Sequence, residues 1–401
     1  MQKIIPAKRT EKIKYAIRDL VVIAKKLEKD KGKKILYLNI GDPLKFDFET
    51  PPHMFEAIAA NNLKSQCYSE SLGIDEAREV LAKEAARKKI KDITPDDVIV
   101  FNGGSEALTQ GITALVNVGE NILIPCPGYP MFTALVEYCQ GIQNPYFLDE
   151  DNGWQPDLDD IRKKINDKTR GLIIINPNNP TGGVYDKKTL KGLIDIAAEN
   201  NLLIFADETY DQLLFDGKEH TALASLTDEI PIVTEGSLSK NFLCPGWRMG
   251  WLFFSGPKEL IADYKEAIGK LSRARLCPIH PQQYAIKAAF EGPQEHLKDT
   301  VKRMQERRDV TYKRMNEIEG ISCVKPKGAF YAFPRIDHEK VKSDVDFVLD
   351  LLHEENVLFV HGTGFGQKPN TKHFRIAFLS KPEILNEAYD KLEKFMKRKF
   401  G

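Results

Sequence analysis

The sequence predicts an α/β protein with a large domain, built on a mostly parallel sheet with helices on both faces, and a smaller α+β domain. Through the middle of the chain, short apolar and β-rich runs alternate with helical patterns. Several of these runs are apolar at consecutive positions, as expected of strands that are covered on both faces. The length of 401 residues also exceeds that of one typical domain, at roughly 150 residues each.

Six apolar runs are the predicted strands of the large sheet: 98–101, 122–124, 172–175, 202–206, 232–234 and 251–254. Between the third and the fourth, residues 187–200 place Leu190, Leu193, Ile194 and Ala197 on one face of a helix. Because parallel neighbours need a long crossover, this strand–helix–strand alternation favours a parallel sheet.

The pattern changes after Gly292. A charged helix (296–318) precedes four short strands (321–324, 330–333, 357–360 and 374–378) and two helices (345–355 and 382–397). At the other end, a helix (13–29) and a strand (35–38) are predicted. We therefore expect an N-terminal segment (1–45) that packs on the small domain, a large domain (46–292) and a small C-terminal domain (293–401).

Charge and composition exclude several classes of partner. The 58 Lys and Arg residues balance 58 Asp and Glu residues, so the net charge is zero. The chain as a whole therefore has no electrostatic attraction for nucleic acid or an anionic membrane. No apolar run approaches the ~18 residues of a membrane span, and the charged N-terminal stretch does not resemble a secretory signal. We therefore predict a cytoplasmic protein. The six cysteines contain no CxxC pair and the eight histidines no HExxH motif, which predicts reduced thiols and no metal.

A glycine turn follows the first predicted strand, in Asn102-Gly-Gly-Ser-Glu-Ala-Leu108. A helix that begins at Ser105 or just after it would direct free N–H groups at a phosphate. A simple helix cap by Ser105 is the alternative. A Walker loop is excluded because no Gly-Lys-Ser/Thr follows. The second glycine cluster, 362–366, is predicted to be a loop.

Polar residues follow two buried strands. The loop 176–182 comes directly after strand 172–175, at the sheet edge where α/β proteins place ligand contacts, although a plain turn explains its prolines and glycine equally well. Asp207 follows strand 202–206, and a carboxylate there is costly unless a cationic group pairs with it.

Two cationic residues stand out by their context. Lys240 ends Gly236-Ser-Leu-Ser-Lys, where desolvation would make it a nucleophilic amine, although most such lysines are solvated. The Ser-Leu-Ser-Lys stretch also matches the SxxK motif of penicillin-binding proteins, but its SDN and KTG partners are absent. Arg375 interrupts the apolar strand 374–378; it either faces inward toward a carboxylate or lies on the wet face of an edge strand.

A phosphate cradle, a strand-end carboxylate, a lysine amine and a carboxylate-binding arginine together describe a site for a phosphorylated, protonated heterocycle that condenses with an amine. Pyridoxal phosphate fits this description.

The order of these motifs resembles that of the fold-type I, class I/II pyridoxal-phosphate aminotransferases over essentially the whole chain. The residues that carry the resemblance are Gly41-Asp-Pro, Tyr68 with Gly73, Gly-Gly-Ser-Glu-Ala-Leu108, Pro127-Gly-Tyr-Pro130, Asn-Asn-Pro-Thr-Gly182, Ala-Asp-Glu-Thr-Tyr210, Ser-Leu-Ser-Lys240, Pro-Gly-Trp-Arg248, Lys327-Gly-Ala-Phe-Tyr331 and Phe-Arg375.

The resemblance implies that residues 46–292 form the cofactor-binding domain and that segment 1–45 also packs on the active site. It implies a role for each matching residue. Lys240 would be the Schiff-base lysine and general base, and Asp207 the partner of the pyridine nitrogen. Asn179 and Tyr210 would contact the ring oxygen, and Tyr129 would stack on the ring face. The residues implied at the phosphate are Gly104, Ser105, Ser237 and Arg248, with Ser239 as an additional candidate. Tyr68 would reach the phosphate of a neighbouring subunit, which implies a homodimer with shared sites. Arg375, Gly41 and Asn179 would bind the substrate α-carboxylate.

Finer similarity points to the alanine aminotransferase branch, carried by Tyr15-Ala-Ile-Arg18, Leu38-Asn-Ile-Gly-Asp-Pro43, 154–160, 205–211 and Arg275-Leu-Cys277. It implies ping-pong transamination of L-alanine and 2-oxoglutarate to pyruvate and L-glutamate. Arg18, with Tyr15 beside it, is the first candidate for the second carboxylate of glutamate, ahead of Arg275 and Lys45. The alternatives are an aspartate or aromatic aminotransferase, a carbon–sulfur lyase with the same cofactor, or a cofactor-binding regulator.

Overall fold

A computed structural model describes residues 3–11, 13 and 16–401 of the chain. Its strands are β1 (Leu36–Tyr37), β2 (Val98–Asn102), β3 (Asn121–Cys126), β4 (Ile142–Asp149), β5 (Gln155–Pro156), β6 (Thr169–Ile175), β7 (Leu203–Asp207), β8 (Ile232–Ser237), β9 (Met249–Ser255), β10 (Ile321–Ser322), β11 (Tyr331–Ala332), β12 (Arg335–Ile336), β13 (Val357–Leu358), β14 (Val360–His361) and β15 (Phe374–Ala377).

The helices alternate with these strands through the large sheet and flank the short strands after it. They are α1 (Ala16–Lys31), α2 (Pro52–Asn61), α3 (Asp75–Arg87), α4 (Gly104–Leu115), α5 (Pro130–Tyr138), α6 (Leu158–Lys164), α7 (Lys187–Glu199), α8 (Leu238–Asn241), α9 (Lys258–Arg275), α10 (His280–Glu291), α11 (Glu295–Glu317), α12 (Asp344–Glu355) and α13 (Pro382–Lys399).

The central sheet has eight strands in the order β2-β9-β8-β7-β6-β3-β4-β5. Strands β4, β3, β6, β7 and β8 run parallel, whereas β9 is antiparallel to both β2 and β8, and β5 is antiparallel to β4. The prediction of a mostly parallel α/β sheet is therefore confirmed. All six predicted strands are present, with ends shifted by a few residues.

Both faces of the sheet are buried, because successive residues of one strand enter different cores. Leu172 and Ile174 of β6 belong to one apolar cluster, while Ile173 and Ile175 belong to the other. Helices α3 and α7 contribute to the first cluster, and α4, α5 and α9 to the second. Consecutive apolar positions in the sequence reflect this two-sided burial.

Strands β4 and β5 were not predicted. The first half of β4 carries Gln143, Asn144 and Pro145, is mostly exposed or half-buried, and pairs only with β3. Its short partner β5 covers only Leu148 and Asp149. A strand that lies at the sheet edge for most of its length needs no apolar run, so periodicity could not identify it.

The C-terminal elements form their own small sheets. Strand β15 lies in the middle of the order β11-β15-β14, and β1 pairs in parallel with β13, which places the N-terminal segment beside the C-terminal strands. The cluster 362–366, predicted to be a loop, contains a single 3₁₀ turn, Gly362–Phe365. Among the described residues, none of the helices is both long and apolar enough to cross a membrane.

The topology brings several loops to one edge of the large sheet. Because β6, β7 and β8 are parallel, their carboxyl ends lie side by side, with Ile175 opposite Asp207 and Asp207 opposite Glu235. Ligands in α/β sheets bind outside this edge.

Candidate active site

A cavity of about 470 Å³ opens at the carboxyl edge of the sheet. Most of the residues singled out from the sequence line it, although they come from distant parts of the chain. Those residues are Arg18, Gly41, Gly104, Ser105, Tyr129, Asn179, Asp207, Tyr210, Ser237, Ser239, Lys240, Arg248 and Arg375.

One end of the cavity is rich in hydrogen-bond donors. Helix α4 begins at Gly104, one residue earlier than predicted, and its N-cap is Gly103 with φ of +83°. Ser105 lies within the first turn and is not the N-cap, so the simple helix-cap interpretation is wrong. Its hydroxyl accepts a hydrogen bond from Arg248 Nη2 at 3.3 Å. The Ser237 hydroxyl lies 3.0 Å from that of Thr209. Hydroxyls, a guanidinium and a free helix N-terminus suit a phosphate.

Lys240 also lines the cavity. It lies on the short helix α8, directly after β8, and donates a hydrogen bond to the carbonyl oxygen of Gly41 at 2.9 Å. Desolvation lowers the pKa of Lys240 to about 8, although the Asp42 carboxylate opposes part of the shift. A larger fraction of this amine is therefore neutral near physiological pH than in a solvated surface lysine.

Asp207 ends strand β7 and is 6% exposed. Burial raises its pKa to about 6, while the N–H of Thr209, 3.2 Å from Oδ1, opposes the shift. Among the described residues, no lysine or arginine forms a salt bridge with Asp207 within 4.0 Å. A buried carboxylate that faces a cavity in this way is suited to a cationic group of a ligand.

Arg375 also lines the cavity and is 1% exposed. Its strand is the middle one of three, so the edge-strand alternative is wrong. Its guanidinium donates to Asn179 Oδ1 at 3.0 Å and to the carbonyl oxygen of Asn39 at 2.6 Å, and lies 4.3 Å from the ring centre of Tyr331. The planar, multi-donor guanidinium of Arg375 suits two-point binding of a carboxylate.

Four of the sequence candidates are placed elsewhere or lie beyond description. Tyr68 is 76% exposed and does not line this cavity. Arg275 instead donates to the carbonyl oxygen of Ser71 at 3.0 Å, and Lys45 lies outside the lining residues as well. Tyr15 lies outside the described residues.

Comparison with known proteins places this site in a family. Residues 33–392 match the family described as aminotransferase class I and II, which is most of the chain. The chain belongs to this family. Glutamate-pyruvate aminotransferase AlaA of Escherichia coli K12 is 39% identical over 400 residues, which cover 99% of this chain and 98% of that protein.

Two further relatives have similar coverage. The alanine aminotransferase of Mycobacterium bovis is 41% identical over 371 residues, 91% of this chain and 86% of that protein. The solved structure of an alanine aminotransferase from Pyrococcus furiosus superposes with a TM-score of 0.95 at 47% identity, and covers 98% of this chain and 100% of that one.

The sequence analysis assigned no role to several lining residues of this class I and II aminotransferase, among them Asp42, Thr209 and Glu235. Asp42 and Thr209 adjoin residues that were identified, so proximity in the chain was an available signal. Glu235 lies one residue beyond the predicted end of its strand, and nothing local marks it. Only the parallel register of β7 and β8 brings it beside Asp207.

Proposed function

We propose that this aminotransferase converts L-alanine and 2-oxoglutarate to pyruvate and L-glutamate by a ping-pong mechanism with pyridoxal phosphate. One observation carries the proposal: the Lys240 amine, the Asp207 carboxylate and the Arg375 guanidinium line a single cavity. Relatives of similar length that are named alanine or glutamate-pyruvate aminotransferases support the choice of substrates.

The donors in the cavity fit the cofactor. Gly104, Ser105, Ser237 and Arg248 would hold its phosphate, with Ser239 as a possible addition. Its ring would rest on Tyr129, with Asp207 at the ring nitrogen and Asn179 and Tyr210 at the ring oxygen. The bound cofactor supplies an electron sink that makes the α-proton of an amino acid acidic.

The residues of the chain supply the remaining chemistry. Lys240 would hold the cofactor aldehyde, and its freed amine would then take the α-proton; a pKa of about 8 suits that task near neutral pH. Asp207 would keep the ring nitrogen protonated. Arg375, with Asn179 and the backbone of Gly41, would bind the α-carboxylate and orient the amino acid for proton transfer.

A screen of amino donors with 2-oxoglutarate tests the choice of substrate. We expect kcat/KM to be highest for L-alanine and glutamate to be the product. A preference for aspartate, tyrosine or phenylalanine would identify another aminotransferase, and release of an oxo acid without 2-oxoglutarate would identify a lyase.

The exposed Arg18 side chain on α1 lines the mouth of the cavity. We propose that it binds the second carboxylate of glutamate and 2-oxoglutarate, which alanine and pyruvate lack; Tyr15 is proposed to assist it. Arg18→Ala should raise KM for glutamate and 2-oxoglutarate by at least about threefold, the effect of an exposed charge pair, with a smaller effect for alanine. Steady-state kinetics with each substrate measure this difference.

Lys25→Ala is the matched control, because Lys25 is also an exposed cation on α1. It should change neither KM. Equal increases for alanine and glutamate in Arg18→Ala would contradict the assignment.

We further propose a homodimer in which Tyr68 of each chain reaches the phosphate of the neighbouring site. The high exposure of Tyr68 in the single chain leaves it free for such a contact. We also propose that the chain divides into its segment and domains after residues 45 and 292. We propose a cytoplasmic location as well. Light scattering should give about twice the chain mass of 45.5 kDa.

A further inference from the structure

A second carboxylate lies directly beside Asp207. Glu235 is 2% exposed on β8, opposite Asp207 in the parallel register, and both side chains line the cavity. Residues that are opposite each other on neighbouring strands point to the same face of the sheet. Two acidic side chains are therefore buried next to each other at the base of the site.

Glu235 is closely enclosed. A Cβ atom added to Gly104, at the start of α4, would overlap its Oε1 atom, so the glycine leaves room for this carboxyl group. Thr209 hydrogen-bonds to Glu235 from the loop after β7, and Leu252 occupies the opposite position on β9, a strand without charged residues.

The charged groups around Glu235 are already engaged elsewhere. Lys88 is the cation that attracts Glu235, but its amine is paired with Asp211. On α4, Glu106 accepts a hydrogen bond from the N–H of Asn102, and on α8 the Lys240 amine donates to Gly41. Among the described residues, Glu235 forms no salt bridge within 4.0 Å.

Two adjacent buried carboxylates cannot both carry a charge at low cost. Burial, followed by the Asp207 charge, holds the pKa of Glu235 well above its usual range, whereas the pKa of Asp207 is raised only to about 6. The hydrogen bond between them favours the charged form of Asp207 and the neutral form of Glu235. The backbone N–H of Thr209, 3.2 Å from Asp207 Oδ1, adds a second donor that stabilises a charge on Asp207, which favours Glu235 as the donor between the two carboxyl groups.

We propose that Glu235 is a neutral carboxylic acid at pH 7 and positions Asp207 by donating a hydrogen bond to its carboxylate, so that the single negative charge of the pair stays on Asp207. Glu235 acts through Asp207 and is thus a positioning residue. Its effect on the cofactor ring rests on the proposed function, whereas its protonation state does not.

The first test uses the cofactor-free protein. Glu235 in the folded state binds its proton more tightly than in the unfolded state, so its contribution to stability falls as the pH rises above the unfolded value of about 4.3. Glu235→Gln removes this titration. We expect the melting temperature of Glu235→Gln minus that of the wild type to increase between pH 5 and pH 8. The control Glu229→Gln, at an exposed position, should show no such increase.

Infrared spectroscopy measures the acid directly. At pH 7 the difference between wild type and Glu235→Gln should contain the carbonyl stretch of a protonated carboxylic acid, which shifts in D₂O. The proposal would be overturned if this band is absent. It would also be overturned if the melting temperature of Glu235→Gln minus that of the wild type stays constant or decreases as the pH rises.

The second test separates positioning from a purely structural role. Glu235→Gln keeps a hydrogen-bond donor and should bind pyridoxal phosphate within about twofold of the wild type, whereas Glu235→Leu should bind it about tenfold more weakly, as expected for one lost hydrogen bond to a charged group. The chemical shift of a ¹⁵N-labelled ring nitrogen should change in Glu235→Leu and be restored in Glu235→Gln.

The two tests fail independently. Equal affinity and ring-nitrogen shift in both variants would reject the positioning role. Failure of the wild type to bind pyridoxal phosphate would reject the proposed function, while the infrared and melting data would still decide whether Glu235 is protonated.

Discussion

Replacing Lys240 with alanine is expected to lower the rate of pyruvate formation from alanine and 2-oxoglutarate by at least about 10⁴-fold, the upper range for loss of a general base alone. The amine has two proposed tasks, holding the cofactor aldehyde and moving the α-proton, and no other lysine lines the cavity among the described residues. Turnover assays over a wide range of enzyme concentration measure the loss.

Two further variants sharpen this experiment. Lys240→Arg keeps the positive charge but cannot supply a neutral amine, so it should be as inactive as Lys240→Ala. Lys265→Ala is the control, because Lys265 is also partly buried but pairs with Asp97 at 2.9 Å, away from the cavity. It should retain nearly full activity. An undiminished rate in Lys240→Ala would refute the aminotransferase mechanism at this site.

Replacing Arg375 with leucine is expected to reduce kcat/KM for both alanine and glutamate by about 10²- to 10³-fold. The guanidinium is 1% exposed, and loss of one partner of a buried, hydrogen-bonded charge pair costs about 2–5 kcal/mol. Both amino acids carry the α-carboxylate, so both should be affected alike, in contrast to Arg18→Ala. Steady-state kinetics with each substrate measure the two losses.

Affinity for the cofactor distinguishes this role from a general defect. Arg375→Leu should still bind pyridoxal phosphate, because Arg375 is not one of the proposed phosphate donors. Arg335→Leu serves as control, since Arg335 is paired with Asp337 and Glu150 and does not line the cavity. Unchanged kcat/KM in Arg375→Leu, or an equal loss in Arg335→Leu, would contradict carboxylate binding by Arg375.

The sequence was informative where a site residue lies in a recognisable motif close after a predicted apolar strand. Asp207 and Lys240 are both of this kind, and the structure brings them to one cavity. The same local logic placed Ser105 beside a helix start, although the helix begins at Gly104. Strand β4 was not predicted, because its exposed first half has no apolar pattern.

The sequence did not decide the environment of residues that pack against distant strands. The Arg375 side chain could face inward or lie on the solvent-exposed face of an edge strand. The central position of β15 in its sheet decided between these two interpretations. Arg275 was a candidate for the site, yet its guanidinium binds the backbone of Ser71. No local pattern reports which strand lies beside which.

The sequence by itself therefore determined the α/β class, the order of the motifs and the chemical groups that end the strands, because each depends on a few consecutive residues. Only the tertiary structure decided that Glu235 lies against Asp207 and that Arg375 is buried. Both depend on strand order and register, which are set by packing between segments far apart in the chain.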